Sequence, residues 1–86
     1  MKTHKFIFTQ QAQKDLKKFS PKITKQIRKK LEYFSFANDP LEFAKPLISL
    51  PPATHRFRFG KLRITFYVQN SVYYICMIKF RKNVYE

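Results

Sequence analysis

From His55 onward the chain alternates. Arg56 and Arg58 stand between Phe57 and Phe59, and Arg63, Thr65 and Tyr67 stand between Leu62, Ile64, Phe66 and Val68. A period of two sends successive side chains to opposite faces of a sheet, so one face is apolar and the other carries guanidinium groups. Strands are predicted over about 54–59, 62–69 and 72–80, joined by Gly60-Lys61 and Asn70-Ser71. Gly60 sits where a tight turn asks for a positive φ. The last of these strands is apolar on both parities, with Tyr74, Cys76, Ile78 and Phe80 on one and Tyr73, Ile75 and Met77 on the other. That suits a strand flanked on both sides.

The first half of the chain has other periods. Residues 5–9 (KFIFT) read as a short strand, and the Thr9 hydroxyl is a ready N-cap for a helix starting at residue 10. Ala12, Leu16 and Phe19, spaced four and three, mark one stripe of a helix over 10–19, with Lys14, Lys17 and Lys18 off it. Ser20-Pro21 restarts the helix: serine caps, and proline at the first position has no N–H to leave unsatisfied. A second helix over about 21–36 carries Ile23, Ile27, Leu31 and Phe34, with Tyr33 beside the stripe. The two form a helical hairpin whose narrow apolar seam must lie on the sheet. The expected contact face is Leu62, Ile64 and Phe66 with some of Tyr74, Cys76 and Ile78.

Asn38-Asp39-Pro40 ends the second helix, and Pro46, Pro51 and Pro52 come after it. Residues 41–53 read as a connection with one helical turn near 41–44, pinned to the core by Leu47 and Leu50. The order is β-α-α-β-β-β, an α+β fold with a small, mainly antiparallel sheet and a helical hairpin on one face. With no linker, repeat or low-complexity tract, residues 1–86 are expected to form one domain.

Composition adds a partner to this picture. Hydrophobic residues make up 44% of the 86, too many for a disordered tail. Eighteen Lys and Arg stand against five Asp and Glu, a net charge of +13, which repels itself in a compact state and points to an anionic partner, nucleic acid or an acidic protein. Cys76 is the sole cysteine, so no disulfide is expected and it reads as a small core residue. No run reaches the ~20 apolar residues of a membrane span. The chain reads as soluble and cytoplasmic.

Most catalytic kits are missing. Asp15, Glu32, Asp39, Glu42 and Glu86 are scattered, and His4 and His55 have no metal-ligand spacing. One glycine makes no phosphate loop, so neither metal nor nucleotide cofactor is expected. What remains is a cluster of cations at Arg56, Arg58, Lys61, Arg63, Lys79, Arg81 and Lys82, with Tyr85 behind. Guanidinium groups pair with phosphate oxygens, and aromatic rings stack on unpaired bases. On composition and spacing alone, this set favours holding a phosphodiester over cutting it.

The Ala12, Asp15-Leu16 pattern, Lys45-Pro46-Leu47 and above all RFRFGKLRITFYV…IKFRKNVY resemble RelE/ParE-type toxins of bacterial toxin–antitoxin pairs. The resemblance covers nearly the whole chain. RelE-like members are ribosome-dependent mRNA endonucleases, and the resemblance implies that branch: a metal-independent attack of the 2′-hydroxyl on the neighbouring phosphate, leaving a 2′,3′-cyclic phosphate and a 5′-hydroxyl. Its alternatives are a ParE-like, non-catalytic inhibitor of DNA gyrase and an inactive relative that binds RNA or antitoxin. The implied roles are charge stabilisation by Arg63 and Arg81, proton transfer by Lys79 or Lys82, orientation of the mRNA by Tyr85, and RNA binding by Arg56, Arg58 and Lys61. His55 is the fallback base, although its parity sets it away from Arg56 and Arg58. Many members carry Gly-His where this chain has Lys79-Phe80. The implied partners are an acidic antitoxin, mRNA and the ribosome.

Overall fold

The structure, a computed structural model, describes residues 4–80. Strand β1 (Lys5–Phe8) runs into Thr9, which has two tasks. Its Oγ1 accepts the Ala12 N–H at 3.3 Å, capping α1 (Gln10–Lys17), and donates to the Ile75 carbonyl at 2.7 Å, tying the junction to the sheet. Helix α1 ends two residues short of the predicted 19. Ser20 caps α2 (Pro21–Ser35), with Pro21 in its first turn. Asp39 then caps a 3-10 turn at Pro40–Phe43, one residue earlier than the helical turn predicted from the sequence.

Among the described residues five strands form the sheet, one more than the pattern predicts. After β2 (Ala44–Pro46) come β3 (His55–Phe59), β4 (Leu62–Gln69) and β5 (Val72–Phe80). Their order is β1-β5-β4-β3-β2, with β1 parallel to β5 and the other pairs antiparallel. The α+β reading therefore holds, and β5 is flanked on both sides. Strand β2 is the unpredicted one, because three residues ending in proline carry no strand pattern of their own. It exists because β3 offers an edge to pair with, and an edge strand tolerates proline. Gly60 adopts φ +55° in the β3–β4 turn, and Asn70 and Ser71 take φ 53° and 66° in the β4–β5 turn.

Ala12 and Leu16 of α1 and Ile27, Leu31 and Phe34 of α2 are buried with Phe57, Leu62, Ile64 and Phe66. The Phe57 ring lies stacked between Phe34 and Phe66, 4.4 Å from each. On β5 the expected inward set is only partly correct. The β4–β5 ladder pairs Thr65 with Met77 but Phe66 with Ile75, so Cys76 is an extra residue at a bulge. Ile78 faces the core as expected; beyond the bulge the parity flips, so Ile75 and Tyr73 point inward in place of Cys76 and Tyr74. Cys76 is half-buried at the bulge and stands outside the core cluster. Leu50 does not pin the connection, being 37% exposed. Leu41, Ala44 and the buried Ala53 hold that segment down.

Asp15 is 2% exposed on α1. Strand β1 stops at Phe8, and the edge of β5 beyond it has to find other partners. The Asp15 carboxylate accepts the buried Ile78 N–H at 2.9 Å, and its second oxygen accepts from Gln11 Nε2 at 3.0 Å. A side chain thus completes the ladder where the strand ends, and that explains an acidic residue in the apolar stripe of α1.

Stability should respond at both places. Ile27→Ala or Leu31→Ala should cost about 2–5 kcal/mol, lowering the melting temperature by about 10 °C or more. Asp15→Ala leaves a buried N–H without its charged acceptor and should cost about 1.5–3 kcal/mol. Thermal denaturation monitored by circular dichroism reads both.

Candidate nucleic-acid interface

The hairpin covers one face of the sheet; the ladder determines what stands on the other. Arg58 pairs with Arg63, and Arg63 with Lys79, so three cations lie in one row across β3, β4 and β5. The next row runs Lys45, Arg56, Thr65 and Met77 from β2 to β5. One row further along, Tyr67 pairs with Tyr74, and their rings stack at 5.0 Å with 21° between planes. The face is therefore cationic toward the β3–β4 turn and aromatic toward the β4–β5 turn.

Like charges directly opposite one another on a sheet destabilise it. Arg58, Arg63 and Lys79 accept that cost in direct register. Arg63 is half-buried, and its Nε has no hydrogen-bond partner among the described residues. The Thr65 hydroxyl beside it, on a residue only 2% exposed, has none either. Buried polar groups are nearly always paired, so two such atoms on adjacent same-face positions of β4 are exceptions to the usual pattern.

Of the residues singled out from sequence, Arg56, Arg58, Arg63 and Lys79 come together on this face. Lys61 is exposed in the β3–β4 turn, past the end of the row. Arg81, Lys82 and Tyr85 lie outside the described residues. His55 stands on the opposite parity, stacked 5.8 Å from Phe66 with its Nδ1 2.9 Å from the Thr54 hydroxyl, so it faces away from the cations. Burial pushes the Cys76 thiol up, away from the reactive thiolate form. Among the described residues no three His, Cys, Asp or Glu side chains gather as a metal site, and no helix is long and apolar enough to cross a membrane.

Thr65, Lys45 and Tyr74 stand on the face without being among the candidates taken from sequence. Thr65 is legible there, since it shares parity with Arg63 and Tyr67. Lys45 is not, because β2 has no signature. Tyr74 reads as inward, because nothing in a strand apolar on both parities announces a bulge.

The fold recurs in solved structures. A chain of the toxin–antitoxin complex RelBE2 from Mycobacterium tuberculosis superposes with a TM-score of 0.74 at 25% identity, covering 92% of this chain and 99% of that one. The chain has the RelE fold. A chain of the archaeal RelE–RelB complex from Pyrococcus horikoshii gives a TM-score of 0.73 at 18% identity, covering 95% and 99%. The isolated Escherichia coli RelE toxin gives 0.66 at 16% identity, covering 93% and 86%. No family model and no curated protein sequence matches the chain.

The likeness to RelE-type toxins read from sequence over nearly the whole chain is thus matched by a likeness of fold over the same extent. Within the RelE fold of this protein, the buried hydroxyl of Thr65 contributes nothing to stability that a methyl group would not. Thr65→Val should leave the melting temperature unchanged or raise it by up to ~1 kcal/mol equivalent, since an unpaired buried hydroxyl carries a desolvation penalty. A clear loss of stability would mean that the hydroxyl is paired in the folded protein.

Proposed function

We propose that this protein is the toxin of a toxin–antitoxin pair and cuts mRNA on the ribosome without a metal. The observation that carries the reading is the row Arg58–Arg63–Lys79, three cations in direct register on the sheet face opposite the hairpin. A strip of this kind suits a phosphodiester. Its guanidinium groups would pair with the non-bridging oxygens and stabilise the extra negative charge that develops as phosphorus becomes five-coordinate. The ribose 2′ oxygen forms the new bond to phosphorus while the bond to the 5′ oxygen breaks. The 2′ proton passes to a base and a proton is returned to the leaving oxygen. Arginine, always protonated, serves poorly as that base, so Lys79 is the candidate among the described residues, with Lys82 the other. Arg81 and Tyr85 complete the proposed set, and Arg56 and Lys61 would steer the strand.

The partner reading rests on charge. A chain of +13 with exposed Tyr33, Phe36 and Phe43 suits an extended acidic antitoxin with apolar anchors. The M. tuberculosis, P. horikoshii and E. coli neighbours solved as complexes are RelB–RelE pairs.

Mapping of new 5′ ends by primer extension on translated messages, after induction in growing cells, tests the nuclease reading. Ribosome-dependent ends support it; their absence together with DNA damage would move the protein to gyrase inhibition. Arg63→Ala should lower cleavage by roughly a hundred- to a thousand-fold, the usual loss for one transition-state donor. Lys14→Ala or Lys25→Ala on the helices should leave it nearly intact. Antitoxin affinity should fall with added salt yet level off, because apolar anchors are not screened. An affinity indifferent to salt would remove the electrostatic half of the partner reading.

A further inference from the structure

We infer that the stacked Tyr67–Tyr74 pair is a base-binding subsite, seating the base of a nucleotide whose strand continues onto the Arg58–Arg63–Lys79 row. The inference rests on the proposed function and assigns the aromatic end of the same face. Tyr67 stands four residues along β4 from Arg63, roughly 13 Å at about 3.3 Å per residue, on the same parity. Both tyrosines are half-buried, so part of the stacked pair is open to a ligand. The rings lie nearly parallel at 5.0 Å, and a further flat ring extends such a stack without a new geometry.

The pair also stands outside the core cluster. The core is complete on the other face, where Tyr73 and Ile75 fill the inward positions of β5. The Cys76 bulge is what turns Tyr74 outward beside Tyr67. Between the tyrosines and the cation row lies Thr65, whose hydroxyl, like the adjacent Arg63 Nε, has no partner among the described residues. Those two polar atoms call for an oxygen-rich ligand at the position a single strand would cross in passing from row to rings. An acidic peptide would need an apolar anchor placed at the rings as well, whereas a single strand carries a flat ring and a phosphate in every nucleotide. Unpaired bases on aromatic rings and phosphates on arginines are the usual pairing in single-strand recognition.

The test uses the full chain and a short, labelled 2′-O-methyl oligoribonucleotide, which cannot be cut, with binding read by fluorescence anisotropy at low salt. Tyr67→Ala or Tyr74→Ala should weaken binding roughly five- to 150-fold, the range for one base–aromatic stack. Tyr67→Phe and Tyr74→Phe should stay within about two-fold, because the ring face and not the hydroxyl carries the contact. With wild-type protein, an abasic site at the contacted position should cost as much as the alanine variants. Combining the abasic site with Tyr67→Ala should cost no more, and the abasic arm on wild-type protein stands even if an alanine variant folds poorly. Weakening by Arg58→Ala with no effect of the alanine variants or of any abasic site would overturn the subsite and leave the proposed function in place. Indifference to Arg58→Ala as well would remove both. If polyglutamate bound as tightly and lost as much on Tyr67→Ala, the rings would belong to a protein partner and the inference would fall.

Discussion

Pairing of β4 with β5 around the Cys76 bulge is the constraint on which both faces of this sheet depend. On one side of the bulge, Leu62 and Ile64 share the core with Ile78; on the other, Phe66 shares it with Ile75 and Tyr73. Slipping a strand by one residue exchanges every buried side chain for its neighbour, so a register that buries one apolar face is strongly specified. Here that specification reaches the outer face as well. The ladder that buries Ile64 and Ile78 also sets Arg63 beside Lys79, and the bulge that buries Ile75 sets Tyr74 beside Tyr67.

Two electrostatic arrangements in the same sheet point in opposite directions. Asp15 is buried and satisfied: its carboxylate closes the ladder of β5 where β1 runs out, and it joins helix to sheet. The Arg58–Arg63–Lys79 row is the reverse, a set of like charges aligned where dispersal would be more stable. The first contributes to folding. The second opposes it, in a chain already burdened with +13.

The division of labour suits the RelE fold that this chain shares with chains from M. tuberculosis and P. horikoshii. One sheet face is given over to a hairpin-covered core built from Ile27, Leu31, Phe34, Phe57 and Phe66. The other presents its cations and tyrosines on a rigid base, where side chains on paired strands hold their spacing better than side chains on loops would.

What the sequence by itself determined is the part where polarity differs between neighbouring positions. The alternation of Arg56, Arg58, Arg63 and Tyr67 with Phe57, Phe59, Leu62, Ile64 and Phe66 assigns faces on β3 and β4 without ambiguity. The Ser20-Pro21 cap and the stripe Ile27, Leu31 and Phe34 locate the hairpin in the same way, because a cap and a period each have one physical meaning. Tertiary structure decided the rest. Strand β2 forms only because β3 has a free edge, so Lys45 joins the cationic face through its partner and not through its own sequence. Strand β5 is apolar on both parities; its alternation therefore carries no information, and only the packing of Ile78 and Ile75 against the helices forces the bulge that turns Tyr74 outward. A periodic pattern reports a face only when burial distinguishes its two sides, and in a strand that satisfies both, the choice is made by the neighbours it packs against.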